Sequence, residues 1–333
     1  MSELAFKSAT QLAAMIQLRE ISALELLDYY LDRVERFNSD LNAVIVLDTS
    51  RARTRAKEAD VALAKGDIWG PFHGVPMTIK ESYNVAGLPT TNGRPDMKDN
   101  LAETDALAVE RLKAAGVVIF GKTNVPLNLA DFQTYNEVYG TTNSPWDLKR
   151  GPGGSSGGSA AALAAGLCGF EAGSDIGGSI RNPAHFSGVF GHKPTWGLIP
   201  PRGHALPGLL VQPDLSVVGP LARSAADLET GMMAMAGPDE LDGVGLKVDL
   251  PRPRHLKLSD YKVALWINDG LAPVSKEVQD RVVEVGRAIT AAGSPPNRSP
   301  RRLLALIRLN TAVAAGIKNV GLARNLKRLT KKN

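Results

Sequence analysis

Between Ile21 and Phe120 the spacing of apolar residues switches repeatedly between a helical and an extended period. That alternation restricts the chain to an α/β layered fold. The stretch "ISALELLDYYLDRVERFN" opens with Ser22 and Glu25 three apart, the reciprocal cap of a helix N-terminus. Apolar Leu24, Leu27, Leu31 and Val34 follow on one helical face. "NAVIVLD" is a β-branched run that predicts a buried strand. "SRARTRAKEADVALAKG" predicts a helix closed by Gly66. Val75 to Lys80 in "GVPMTIKES" predicts a short strand. "TDALAVERLKAAG" predicts a helix with Thr104 as N-cap, Leu107, Val109 and Leu112 on its apolar face, and Gly116 at its end. "VVIF" follows directly as a strand. This order of elements favours a substantially parallel sheet.

The same alternation disposes of a nucleotide-binding motif. "GVVIFGKT", Gly116 to Thr123, fits G-x-x-x-x-G-K-[ST]. A phosphate loop needs a strand before its first glycine and loop-forming residues between the two glycines. Here the four intervening residues are Val-Val-Ile-Phe and the preceding segment is helical, so Gly116 reads as a helix stop and Gly121 as the end of a strand. "VIVLD", ending at Asp48, lies upstream of the supposed loop, the wrong place for a magnesium-binding carboxylate strand.

Charge and composition narrow the partners. The 333 residues are 44% hydrophobic and 22% charged, with a formal net charge of +5, values of an ordinary globular protein. Residues 294–333 hold ten Lys and Arg and no acid, so residues 1–293 carry 29 basic and 34 acidic side chains, a net of −5. A mildly acidic body argues against a nucleic-acid surface. No stretch reaches the apolar length of a membrane span, and the first twenty residues lack the pattern of a signal peptide. The lone Cys168 forms neither an internal disulfide nor a metal site by itself, which fits a reduced, cytoplasmic setting.

Glycine- and proline-rich loops concentrate between residues 140 and 215, where a site built on loops is expected. "GPGGSSGGSAAALAAGL" runs from a polar glycine loop straight into an alanine-rich helix in which Ala160, Ala164 and Ala165 permit close packing. A flexible linker rarely leads into so strongly preferred a helix. Gly153 to Gly157 also fits the G-x-S-x-G nucleophile elbow, and His185, His192, His204 and His255 lie downstream as candidate bases. An elbow needs a strand immediately before its serine, where "NSPWDLKRGPG" supplies prolines and a turn. A second cluster, "AGSDIGGSIRNPAHFSGVFGHKPTWGLIP", places Gly177 and Gly178 before Ser179, with Arg181 and Asn182 after it. Successive glycines allow backbone N–H groups to converge on one point, as a developing oxyanion requires, with Ser179 at its edge.

Together, "VPMTIKES", "GPGGSSGGSAA" and "GSDIGGSIRNPAHFSGVFGHKPTWG" resemble the amidase signature family of serine amidohydrolases, three motifs in one order from about residue 5 to about residue 290. The resemblance implies an amidase-signature α/β fold, a mixed and mostly parallel sheet covered by helices on both faces. It implies a Ser–Ser–Lys triad in which Ser179 is the nucleophile, Ser155 the bridging serine and Lys80 the general base. It further implies backbone oxyanion donors at Ile176, Gly177, Gly178 and Ser179, a cis Gly154–Ser155 peptide, and no metal or organic cofactor. The implied partner is a small-molecule amide, hydrolysed to carboxylate and ammonia. The alternatives are a non-catalytic remnant and a glutamine-hydrolysing component of amidotransferase type. An exposed lysine is charged at neutral pH, so Lys80 has to lie at the inner end of a buried strand, where desolvation favours the free amine. Ser156 either bonds within the triad or holds its loop. Asp175 and Arg181 either form an ion pair bracketing the turn or bind a substrate carboxylate. Cys168, His185 and His192 read as structural. The resemblance fades after "VQDRVVEVGRAITAAG". Residues 1–293 therefore read as a signature domain incomplete at its C-terminal end, and 294–333 as a basic tail outside the family pattern. That tail is either a basic amphipathic helix for a membrane or acidic partner, or the product of a shifted reading frame.

Overall fold

The computed structural model describes residues 4–204 and 213–294, and the tail expected at 294–333 lies, apart from Ser294, outside the described residues. Helix α1 (Ala9–Gln17) is capped by Ser8 and helix α2 (Ala23–Leu41) by Ser22, whose capping box with Glu25 forms as the sequence predicts. The buried face of α2 is Leu26, Leu27, Tyr30 and Val34, while Leu24 and Leu31 are only half-buried. The stripe turns because α2 packs against a helix and a strand together. Asn42 closes α2 in the left-handed conformation.

Strand β1 (Val44–Leu47), helix α3 (Thr49–Ala64), strand β2 (Pro76–Lys80), helix α4 (Leu107–Ala114) and strand β3 (Val118–Thr123) complete the first half. A two-stranded hairpin of β4 (Tyr135–Asn136) and β5 (Gly140–Thr141) precedes helix α5 (Gly157–Ala164), strand β6 (Glu171–Asp175) and helix α6 (Arg181–Ser187). Strands β7 (Phe190–Gly191) and β8 (Val217–Ala222) and helix α7 (Ala225–Met235) follow. Strand order is β1-β3-β2 in one sheet and β6-β8-β7 in another, joined by a parallel bridge between Met77 and Phe170. β2 runs parallel to β3, whereas β1–β3, β6–β8 and β7–β8 are antiparallel, so the sheet is mixed, with fewer parallel pairs among the described residues than the order of elements led one to expect. β1 lies at an edge, which is why its last residue, Leu47, is exposed where the β-branched run suggested full burial.

Two expectations are corrected at α4 and β3. Helix α4 starts at Leu107 with Ala106 as N-cap and not with Thr104, because the N–H groups of Ala106 and Leu107 are committed to Asn84 O and Arg202 O. Gly116 does stop that helix, with φ +100°. β3 does not end at Gly121 but continues buried through Lys122 and Thr123. Lys122 therefore lies within a sheet, its Nζ donating to Pro89 O and to Thr90 Oγ1, where a phosphate loop would need open backbone.

The N-terminal segment is fastened to the rest of residues 4–248 by Asp227 of α7. Its carboxylate is fully buried and accepts from Ala9 N at 2.9 Å, Thr10 N at 2.9 Å and Thr10 Oγ1 at 2.8 Å. It thus caps a helix two hundred residues away in sequence and matches that helix's positive end. Asp227→Ala strands these donors; urea unfolding is expected to show a loss of about 3 kcal/mol, with Asp227→Asn recovering part of it.

Residues 249–294 form a separate unit whose one regular α-helix among the described residues is α8 (Lys276–Ala291), N-capped by Ser275. A Cβ at Gly286 of α8 would lie 2.3 Å from Leu265 Cδ1, so the glycine is what lets the Leu265 segment lie against the helix. Among the described residues no helix is long and apolar enough to cross a membrane.

Candidate active site

Lys80 is the last residue of β2, a strand whose five residues are all buried because β3 flanks it on one side and β6 on the other. The chain turns immediately after it, Glu81 N bonding to Thr123 O and Tyr83 N to Lys80 O. The Lys80 ammonium end is therefore delivered into the interior and not to solvent, and its relative exposure is 0%. Ser155 and Ser156 arrive from the loop before α5, through a cis peptide at Gly154–Ser155. The N-terminus of α5 reaches the end of β3 through Gly158, where a Cβ would lie 2.3 Å from Asn124 N. No side chain larger than hydrogen fits that approach.

Three hydroxyls surround the Lys80 amine: Ser155 Oγ at 2.7 Å, Ser156 Oγ at 3.0 Å and Ser174 Oγ at 2.9 Å. An ammonium donates one hydrogen to each. A neutral amine has two hydrogens and one lone pair, so two hydroxyls accept and the third must donate to nitrogen. Both protonation states are thus satisfied by the same three partners. Burial pulls the Lys80 pKa down to about 7, against the opposing pull of Asp175, Glu171 and Glu81. A large fraction of the side chain is consequently a free base at neutral pH, as burial of an ammonium requires.

Ser179 lies in the turn after β6, 6% exposed, and its carbonyl accepts from Ser156 N at 3.0 Å. The two serine loops are thereby locked backbone to backbone. Among the described residues the Ser179 hydroxyl has no protein hydrogen-bond partner. Gly178 has φ +137°, open to glycine and strained for other residues. Its N–H donates to Asp175 Oδ1 at 2.9 Å. That donor belongs to the turn, which narrows the expected oxyanion set of four to Ile176, Gly177 and Ser179. Those three N–H groups have no protein acceptor among the described residues.

Asp175 organises this turn. Besides Gly178 N it accepts from Ile180 N at 3.0 Å, Arg181 N at 3.2 Å, Arg181 Nε at 3.0 Å and Arg181 Nη2 at 2.8 Å. Burial by itself would raise its pKa, but the Arg181 and backbone donors outweigh burial and hold it below the usual range. Of the two readings of Asp175 and Arg181, the ion pair is the one formed, bidentate at the Arg181 fork.

The elbow reading finds no support. No strand leads directly into Ser155, and no histidine ring bonds to Ser155 or Ser179 among the described residues. His204 Nε2 is 2.9 Å from Ser82 Oγ, and burial together with the Lys80 charge pushes its pKa down to about 3. Cys168 is buried with its thiol pushed up to about 12 by desolvation, so it is not a thiolate nucleophile. Ser174 is the partner that sequence reasoning missed. It stood next to Asp175 in "GSDIGGS", but its meeting with Lys80 depends on β2 and β6 being neighbours, which no local pattern reports.

Comparison with known proteins places the chain in one family. A family model described as Amidase matches residues 25–331. The chain is 40% identical over 252 residues to the A subunit of the glutamyl-tRNA(Gln) amidotransferase of Acidothermus cellulolyticus, covering 75% of this chain and 49% of that protein. It is 36% identical over 272 residues to human fatty-acid amide hydrolase 2, covering 79% of this chain and 49% of that protein. Among solved structures, a fatty acid amide hydrolase superposes with a TM-score of 0.82 at 30% identity, covering 89% of this chain and 53% of the other. The chain spans about half the length of the curated relatives it matches.

Proposed function

Because the chain belongs to the amidase family, we propose that it hydrolyses a carboxylic amide to carboxylate and ammonia through an acyl-enzyme on Ser179. The observation that carries this reading is the buried Lys80 amine held by three serine hydroxyls beside a turn of unpaired N–H groups. Ser179 Oγ attacks the carbonyl carbon while its proton passes to Ser155 Oγ and the Ser155 proton passes to Lys80 Nζ. Ser156 and Ser174 accept the two hydrogens of the neutral amine, which turns its lone pair toward Ser155. The oxyanion is stabilised by N–H groups of Ile176, Gly177 and Ser179. On collapse the C–N bond breaks, and the proton returns from Lys80 through Ser155 to the leaving nitrogen. Water then attacks the acyl-enzyme by the same relay and frees Ser179. No metal or organic cofactor has a step in this sequence.

Residue roles in this scheme follow from chemistry and proximity. Ser155, nearest the amine, carries the proton; Ser179, beside the unpaired donors, forms the bond. A second reading rests on the similarity to the glutamyl-tRNA(Gln) amidotransferases: the same relay releases ammonia from glutamine for a partner enzyme. The deciding experiment is ammonia release by the purified chain from a panel of simple amides and from glutamine. Turnover of aliphatic or aryl amides without a partner is the expected result. Release from glutamine alone supports the second reading. Absence of ammonia from every member, with no fluorophosphonate labelling of the folded chain, refutes both and leaves a remnant that keeps the motifs without a working site.

A further inference from the structure

Asn182 follows Ser179 closely in sequence, yet the relay gives it no step. It is the second residue of α6 and is half-buried. Its backbone N–H donates to Gly178 O at 2.6 Å. That carbonyl belongs to the peptide unit whose other end is the Ser179 N–H. A peptide is planar, so holding its C=O also fixes the direction of its N–H. The Asn182 side chain reaches the other serine loop, where its Oδ1 accepts from Gly154 N at 3.1 Å. Only the oxygen of the amide can accept from an N–H, which sets the orientation of the side chain. The carbonyl of that same Gly153–Gly154 peptide accepts from the hydroxyl of buried Thr134 at 2.8 Å. One peptide unit just before Ser155 is therefore gripped at both ends, by α6 and by the segment leading into β4. Its surroundings leave it no slack. A Cβ at Gly153 would lie 2.6 Å from Asn182 Oδ1 and 2.9 Å from Pro183 Cα, and one at Gly154 would lie 2.6 Å from Asp131 O.

We propose that Asn182 is a positioning residue that holds the two serine loops in register. Its main chain fixes the peptide that presents the Ser179 N–H, its side chain fixes the peptide that leads into Ser155, and Thr134 steadies the second from its carbonyl end. The roles of the two serines in this proposal rest on the amide-hydrolysis reading. Transfer of a proton from Ser179 Oγ to Ser155 Oγ needs the two oxygens to come within hydrogen-bond reach, and they stand on different loops. The bond from Ser156 N to Ser179 O at 3.0 Å joins those loops on one flank of Ser155. Asn182 joins them on the other flank, at Gly154. With both neighbours of Ser155 tied to the Ser179 turn or to the helix that follows it, the bridging hydroxyl cannot swing about a single point. Loss of either hold on the Gly153–Gly154 peptide frees that flank, and proton transfer falls off steeply with small misplacements.

The test is the rate at which the intact chain takes up a fluorophosphonate, which reads the pair of serines without an amide substrate. In Asn182→Ala and in Thr134→Val the maximal labelling rate falls by about 10- to 100-fold while the half-saturating probe concentration stays in place. Thr134→Ser keeps the hydroxyl donor and recovers most of that loss. Both substitutions release one peptide, so the double variant loses less than the product of the two single losses. All rates are compared well below the thermal melt of each variant, where a loss of stability alone leaves the rate unmoved. Labelling rates that both single variants leave unchanged overturn the proposal, and so does a fall that resides wholly in the half-saturating concentration. If Asn182→Ala fails to fold, the contrast of Thr134→Val with Thr134→Ser decides. Labelling that depends on Asn182 in a chain that turns over no amide sinks the hydrolysis reading and retains the positioning role. Amide turnover that survives both substitutions does the reverse, and a parent chain that takes up no probe overturns both.

Discussion

Ser179→Ala leaves a folded chain that forms no acyl-enzyme, and amide turnover falls by roughly 10⁶-fold. The size of the effect follows from what the substitution removes and what it keeps. Only Oγ is lost; the Ser179 N–H remains, and so does the carbonyl that accepts from Ser156 N at 3.0 Å. The turn set by Asp175 and Arg181 has no bond to the lost hydroxyl, so its N–H groups stay aimed as before. Whatever rate persists over the uncatalysed reaction measures binding and oxyanion stabilisation alone. Intact-mass analysis after fluorophosphonate treatment is the direct check: one adduct on the parent chain, mapped to Ser179, and none on the variant, with an unchanged thermal melt. An adduct of equal yield on Ser179→Ala moves the nucleophile elsewhere, with Ser155 the next serine to replace. Ser155→Ala is the informative contrast, because it interrupts the proton path while sparing the attacking hydroxyl.

The chain's local grammar was legible to different depths. Capping and period placed α2 and α3 well, because Ser22–Glu25 and Gly66 act within a few residues of themselves. Placement of Lys80 at the inner end of a strand was also readable, since "VPMTIK" carries no charge before its lysine. The start of α4 was misread because Asn84 and Arg202, distant in sequence, compete for the N–H groups that a Thr104 cap would have needed to leave free. β3 outran its expected end because Lys122 finds carbonyl and hydroxyl partners inside the protein, an outcome that hydrophobic patterning alone cannot foresee. The site divides in the same way. Glycine pairs announced the turn at Ser179, whereas the contact of Ser174 with Lys80 follows from the meeting of strands about ninety residues apart. Register across a sheet is a tertiary fact, and single-sequence periodicity holds no record of it.

Lys80→Met is expected to lower turnover by about 10³-fold without unfolding the chain. Methionine is similar in length and suits a buried slot, so the loss isolates the amine. The pH dependence identifies the cause. With a pKa near 7, Lys80 of the parent chain passes from ammonium to free base as pH rises, and turnover should rise with it through pH 7 toward a plateau; Lys80→Met keeps only a low, flat remainder. Stability gives an independent sign. Unfolded, the lysine keeps its proton up to its ordinary value of 10.5, while folded it has lost that proton above about 7. Between those limits the unfolded chain binds more protons, so the parent chain gains stability as pH climbs across the window, and the destabilising effect of the buried amine is fully present below it. In Lys80→Met this dependence is absent. The comparison of urea midpoints at pH 6 and pH 9 should therefore show the parent chain gaining relative to the variant. A parent chain whose stability relative to Lys80→Met is the same at both pH values carries an ordinary, solvated lysine, and such a lysine cannot take a serine's proton at neutral pH.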